Sequence, residues 1–384
     1  MKIDDFKLER FFSQYEFKAP YLLCSSDPES FSIDELLSYE PSSSEAFKKQ
    51  WLGYTETQGK PELRNEVSKL YENIKPESIL IHSGGEEGIF IFMNVALKPG
   101  DHVIAQFPAY QSLYEVAKSI GAEVTKWILD EQNNWELNLD FLKQNIKENT
   151  RAIIINCPHN PTGYLMSKNK LDEIIKVAKE KNIYIFSDEV YKFLEYNPAD
   201  RLKSVCDLYE NGISVGGMSK AFALPGLRIC WIATRNKNIL RQMASFKDYT
   251  TICCSAPSEF LSLVALRNKE KIFKRNIDII LRNLKIVNIF FERYKDLFYW
   301  TLPKAGTIAF PSIKLNVDSA KFCIDAIEKK GVFILPSTVY DFGNKNFRIG
   351  FGRKNTRVAL EKFEEYIKEN FQELSKNFFS TALG

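Results

Sequence analysis

Lys220 lies in the stretch VGGMSKAFALPGLRICW (Val215–Trp231), in a turn between two apolar segments, after Gly216 and Gly217 and eight positions before Arg228. A lysine amine attacks a carbonyl only where its ammonium form is disfavoured, by burial or by a neighbouring cation, and Arg228 is a candidate for that cation. Alone, such a lysine is more often a solvated turn residue. Three other segments change the reading. HNPTG (His159–Gly163) sets Asn160 in a turn before Pro161, and SDEVY (Ser187–Tyr191) closes an apolar run with Asp188 and Tyr191. In SGGEE (Ser83–Glu87), Gly84 and Gly85 let the backbone approach an anion at the start of a helix, whose free amides carry partial positive charge. That segment matches neither the P-loop nor GxGxxG, and a plain tight turn is its ordinary role. Together these residue types suit an aldehyde cofactor held on Lys220: a carboxylate, hydrogen-bond donors and a phosphate cradle.

The elements that must position them alternate. SILIHSGGEEGIFIFMNVALKPGDHVIAQFPAY reads as strand, glycine turn, apolar helix, Pro-Gly stop and second strand, a βαβ-like order. A strand over Val124–Leu129, a helix over Leu139–Ile146 and the strand RAIIIN (Arg151–Asn156) follow, then a helix in KLDEIIKVAKEKN and the strands IYIFSDEVY and ISVGGM. Buried β-branched strands alternating with helices predict an α/β fold with a mostly parallel central sheet flanked by helices. Ligands gather at the carboxyl ends of such strands, where Asn160, Asp188 and Lys220 all fall. Residues 1–45 read as an irregular arm. From Ser258 to Tyr294 the chain is helical and amphipathic; FYWTLPKAGTIAFPSIKL, GVFILPST and NFRIGFG read as strands, and ALEKFEEYIKENFQELSKNF as a terminal helix. The expected division is a large domain over 46–275, with 1–45 and 276–384 forming the arm and a smaller α+β domain.

Composition narrows the function classes. The 384 residues are 45% hydrophobic and 26% charged, and 52 basic residues against 49 acidic leave a net charge of +3 with no basic block, so nucleic acid is not implied. No stretch of about 18 apolar residues occurs, and MKIDDFKLERFF lacks a signal peptide's apolar core, so no membrane partner is expected. Seven cysteines, an odd number without a Cys-x-x-Cys pair, read as reduced core residues of a cytoplasmic protein. His82, His102 and His159 are too scattered to suggest a metal site.

HNPTG, SDEVY and SKAFALPGLR (Ser219–Arg228), in this order and spacing, resemble the pyridoxal 5'-phosphate-dependent aminotransferases of class I/II, fold type I, across nearly the whole chain. The resemblance implies that Lys220 forms the internal aldimine and shuttles the substrate's α-proton, and that Asp188 pairs with the pyridinium nitrogen. By the same resemblance Tyr191 and Asn160 donate to the ring's phenolate oxygen, Tyr110 stacks on the ring, and Arg228, Ser219, Gly84, Gly85 and Glu86 surround the phosphate. It makes Arg348, in FRIGFG, the grip on the substrate's α-carboxylate, with Asn160 and Ser26 beside it, and it gives Tyr54 to the phosphate of a neighbouring subunit in a homodimer with shared active sites. The chain departs from the pattern at Gly217 and Glu86, where many relatives carry hydroxyls, and at Ser25–Asp27, where they show a glycine.

Transfer of an amino group between an L-amino acid and a 2-oxo acid is the function this implies. A lyase or cyclase catalysing β- or γ-elimination shares the catalytic set and is the alternative. A non-catalytic regulator would need a DNA-binding domain for which 45 irregular residues leave no room. No second substrate-facing arginine can be assigned, so a dicarboxylic substrate is not supported.

Overall fold

The computed structural model describes residues 2–381. A seven-stranded sheet forms its centre: β1 (Ile79–His82), β2 (His102–Phe107), β3 (Glu123–Ile128), β4 (Thr150–Asn156), β5 (Tyr184–Asp188), β6 (Gly212–Gly217) and β7 (Cys230–Thr234), in the spatial order β1-β7-β6-β5-β4-β2-β3. Only β7 runs against its neighbours. The longer helices are α1 (Lys7–Tyr15), α2 (Gly85–Ala96), α3 (Ser112–Ile120), α4 (Lys168–Lys181), α5 (Lys237–Lys247), α6 (Ala256–Arg267), α7 (Lys269–Arg293), α8 (Ser319–Lys330) and α9 (Thr356–Thr381).

A strand covered on both faces must be apolar on both, and β4 shows this residue by residue. Ile153 and Ile155 pack with Leu171, Ile174 and Ala178 of α4. Ile154 points the other way, into a cluster with Phe92 and Met93 of α2, Leu113 of α3 and Met243 of α5. Helix α4 has a local start and stop: Ser167 Oγ accepts from the Lys170 amide at 3.3 Å, and Asn182 ends the helix in the left-handed conformation at φ 52°. A third cluster joins α7, α8 and α9 through Phe291, Phe322 and Phe363 to Phe347, which lies in a small antiparallel sheet of β8 (Ile308–Ala309), β9 (Leu335–Pro336) and β10 (Phe347–Gly350), ordered β8-β10-β9.

Three expectations change. β1 and β2 are parallel and joined by α2, but four strands separate them, so the βαβ-like order is not a pair of adjacent strands. Residues 2–45 are not irregular throughout: α1 packs Phe11, Phe12 and Tyr15 around Phe333, with ring centroids 5.8, 5.1 and 6.0 Å away, and Tyr21–Leu22 pairs parallel with Val332–Phe333. Charged residues interleave that apolar face in KLERFFSQY, which hid the helix. The three C-terminal segments read as strands contain only short ones, the longest being β10, and the reading left α3, α5, α8 and β7 unassigned.

Register sets the site. Asn156 pairs with Asp188 and Asp188 with Val215, so the carboxyl ends of β4, β5 and β6 form one rim. Because β7 is reversed, it begins at that rim: Cys230 pairs with both Gly217 and His82.

Candidate active site

Each central strand delivers one polar residue to the rim. The Nζ of Lys220, just beyond β6, donates to Ser26 Oγ at 2.8 Å. Burial lowers its ammonium pKa; Asp27 and Asp188 oppose the shift, and Arg348 and Arg228 add to it. Burial therefore dominates, and Arg348 outweighs the Arg228 named from sequence.

Asp188 ends β5. It is buried, its Oδ1 accepts from the Val190 amide at 3.2 Å, and among the described residues no cation is bonded to its carboxylate. Burial pushes its carboxyl up to about 6, against that amide and the charge of Lys220. Buried carboxylates are ordinarily paired, so this one is built for a partner bearing an N–H. Tyr191, one turn further on and buried, donates to the Ser26 carbonyl at 3.0 Å; the Thr307 hydroxyl donates to the same carbonyl at 2.8 Å.

Asn156, which the sequence reading passed over, holds the rim together. Its Nδ2 donates to the Asp188 carbonyl at 2.8 Å and its Oδ1 accepts from the Asn160 amide at 2.7 Å, while its own amide donates to Gln106 at 2.8 Å. The only sequence signal is an amide side chain ending the apolar run of β4. Asn160 presents Oδ1 to Arg348 Nη1 and to the Tyr340 hydroxyl, each at 3.3 Å.

Arg348, on β10, is 2% exposed. Its Nε donates to the Cys24 carbonyl at 3.1 Å and its Nη1 to Tyr340 Oη at 2.7 Å. Among the described residues no carboxylate pairs with it and Nη2 has no partner, which leaves a buried guanidinium without an anion. Tyr340 is the second residue missed; nothing around it in STVYDFG signals the contact.

The candidate anion cradle lies where α2 begins. Gly84 has φ 91°, and a Cβ there would stand 2.6 Å from Nη2 of Arg228, so the glycine is required both by its backbone and by the guanidinium lying on it. Arg228 is steered by its Nη1, which donates to the Pro225 carbonyl at 3.0 Å. No side chain caps α2; the Ser83 amide is taken by Glu87 at 2.7 Å, and the first-turn amides from Gly85 onward face the cradle end. Glu86 turns toward α3, where its Oε1 accepts from Ser112 Oγ at 3.3 Å. Part of that side chain is open to solvent, yet its carboxyl sits in the crowded corner by Ser112 and Tyr110, where desolvation and the like charge of Glu9 raise it to about 7. The Ser219 hydroxyl makes no hydrogen bond among the described residues.

Lys220, Asp188, Tyr191, Asn160, Ser26 and Arg348 thus meet at one rim, with Gly84, Gly85, Glu86 and Arg228 beside it. Tyr110 donates to Glu9 at 3.0 Å and packs its ring on Phe6, 4.9 Å away. Tyr54 stays apart, 87% exposed. A lysine whose ammonium form is disfavoured by burial, an uncompensated buried carboxylate and an arginine on an uncapped helix start fit pyridoxal 5'-phosphate.

Comparison with known proteins gives the family and the fold. The family model for aminotransferases of class I and II matches residues 21–363. The aspartate aminotransferase of Sulfurisphaera tokodaii is 28% identical over 335 residues, covering 82% of each chain. That of Pyrococcus horikoshii is 29% identical over 341 residues, covering 84% of this chain and 85% of the relative. Among solved structures, a pyridoxal-phosphate-dependent aminotransferase from Streptococcus suis superposes with a TM-score of 0.91 at 31% identity, over 96% of this chain and 99% of that one. The pyridoxal-phosphate-dependent cyclase OrfR shares the fold, with a TM-score of 0.88 at 22% identity over 96% and 98% of the two chains.

Proposed function

The chain belongs to the class I and II aminotransferases, and we propose that Lys220, Asp188, Tyr191, Asn160 and Arg348 are the residues with which it moves an amino group between an amino acid and a 2-oxo acid. It is a pyridoxal 5'-phosphate-dependent enzyme of fold type I. When bound, the cofactor supplies an aldehyde that condenses with amines and a ring that takes up the electron pair released at the substrate's α-carbon.

In this reading Arg348 receives the substrate's α-carboxylate, and the bonds from Nε to Cys24 and from Nη1 to Tyr340 and Asn160 fix its plane beforehand. Asp188 keeps a proton on the ring nitrogen. Lys220 Nζ takes the α-proton, which an amine does only unprotonated; burial disfavours the ammonium, and Ser26 Oγ holds the amine in place. Tyr191 Oη and Asn160 Nδ2 are the donors for the ring oxygen. Arg228, Gly84 and Gly85 receive the phosphate. The observation that carries the reading is Asp188, a buried carboxylate without a protein cation at the strand end beside the lysine.

Homodimerisation is part of the same proposal. Trp51, Leu52 and Tyr54 are 77%, 78% and 87% exposed, and Tyr249 is 91% exposed, which is much aromatic surface for one chain to leave in water. A partner's Tyr54 would complete the phosphate site. No helix among the described residues is long and apolar enough to cross a membrane, and the free cysteines support a cytoplasmic setting. We keep the division into a large unit over 46–275 and a smaller one with the arm.

The deciding experiment offers amino acids singly to the cofactor-loaded protein without any oxo acid. A transferase leaves pyridoxamine phosphate stoichiometrically and regains the yellow form with 2-oxoglutarate or pyruvate. Many turnovers of an amino acid bearing a leaving group, with no pyridoxamine phosphate formed, would establish elimination instead.

A further inference from the structure

Resting on that reading, we propose that the amino acid this enzyme takes carries a positively charged side chain, held by Glu9 and Glu86 on either side of Tyr110. Helix α1 brings the two ends of such a substrate together. Phe12 lies over Arg348, its ring centroid 5.7 Å from the guanidinium carbon, and Glu9 stands three residues earlier, on the same helix face and about 5–6 Å away between Cβ atoms. The Glu9 carboxylate accepts from Tyr110 Oη at 3.0 Å. Glu86 reaches the same corner from α2, where its carboxyl feels the like charge of Glu9 and the hydroxyls of Ser112 and Tyr110.

Neither carboxylate has a cationic partner among the described residues. The nearby lysines are committed elsewhere, Lys7 to Asp341 and Lys118 to Asp4 and Glu115. The independent pointer to a ligand is Arg348, buried and without a carboxylate, whose Nη1 donates to Tyr340, a hydroxyl that feels the charge of Glu9. A ligand satisfying both ends has an α-carboxylate for the guanidinium and, an amino acid's side-chain length away, an ammonium or guanidinium for the two glutamates. A second carboxylate at that end would face two negative groups, so the site as built turns away aspartate, the amino acid after which the relatives are named.

The test has two arms. Half-reaction rates are measured for arginine, lysine, aspartate, glutamate and leucine. Binding of 5-guanidinopentanoate, which lacks an α-amino group, is compared with that of glutarate by calorimetry on the cofactor-loaded protein. The expected result is kcat/KM for arginine or lysine at least about tenfold above that for aspartate, glutamate and leucine, as one charge-assisted hydrogen bond implies. Glu9→Gln, and separately Glu86→Gln, are expected to cut the arginine-to-leucine ratio by about tenfold and to weaken 5-guanidinopentanoate by the same factor. A preference for aspartate or glutamate, tighter binding of glutarate, or an equal loss on every substrate in Glu9→Gln overturns the proposal and leaves Glu9 as a tether for α1. Transfer from dicarboxylic acids would overturn it while the aminotransferase reading stands. Glutamate-dependent binding of 5-guanidinopentanoate without conversion of any amino acid would do the reverse.

Discussion

The Nζ of Lys220 lies 2.8 Å from the Oγ of Ser26, a contact between residues 194 positions apart that ties the rim of the large sheet to the N-terminal segment. Ser26 is itself fixed, since its carbonyl accepts from both Tyr191 and Thr307. The lysine is therefore held by a serine whose carbonyl is itself bonded twice.

Lys220→Ala removes the one amine at this position. Borohydride reduction followed by mass spectrometry should fix pyridoxal phosphate on Lys220 in the wild type and on no lysine in the variant, and turnover should fall by at least about 10²–10⁴-fold. An adduct of equal yield at another lysine in the variant would refute the assignment. Ser26→Ala should keep the adduct and lower kcat more than it raises KM.

Arg348→Gln strips a donor from Cys24, Tyr340 and Asn160 together. Leaving buried acceptors unmade costs about 1–3 kcal/mol each, so both stability and kcat/KM should drop, the latter by about 10²-fold or more. Arg348→Lys retains the charge but not the fork, and steady-state kinetics should place it between wild type and glutamine. Equal KM in all three would remove Arg348 from the carboxylate role.

Asp188 sets a pH dependence in the cofactor-free protein. Its carboxyl is raised from 3.8 to about 6 by burial, so the folded state holds its proton more tightly than the unfolded one. The stability it contributes is fully present below pH 3.8 and lost as pH rises through about 6, a term on the order of 3 kcal/mol. Denaturant titrations between pH 4 and 7 should show this decline, and Asp188→Asn should flatten it. Identical profiles in wild type and Asp188→Asn, or a wild-type profile that rises across this window, would contradict the assignment.

Gly84→Ala meets two obstacles, a backbone at φ 91° that alanine resists and a Cβ 2.6 Å from Arg228 Nη2. The strain should cost on the order of 1–3 kcal/mol. Displacement of the guanidinium should also weaken binding of pyridoxal phosphate, so a variant that binds the cofactor as tightly as wild type would place the phosphate elsewhere.

Tyr54 tests the shared site. Sedimentation should show a dimer, and a mixture of inactive Lys220→Ala with a Tyr54-defective variant should recover activity in hybrids that contain one intact site. Full activity in a monomer would exclude a borrowed tyrosine.

Local chemistry made much of this protein legible from its sequence. Short runs rich in β-branched residues such as Ala152–Ile155, bounded by polar residues, read as strands buried on two faces, and the polar residues at their ends, Asp188 closing β5 and Lys220 beyond β6, then emerge at the rim. That is why Asn160, Asp188 and Lys220 can be placed at the rim from the sequence, whereas Tyr191 is singled out only by the family resemblance. The rest depends on which strands become neighbours. The reversal of β7 brings Arg228 onto Gly84, and no turn signal near Ile229 announces it. Tyr340 reaches Arg348 because β10 pairs with β9, and Glu9 reaches Tyr110 because α1 folds onto Phe333. These contacts follow from sheet order and long-range packing, which are fixed by the summed burial of many apolar faces and leave no mark on the few residues that later do the chemistry.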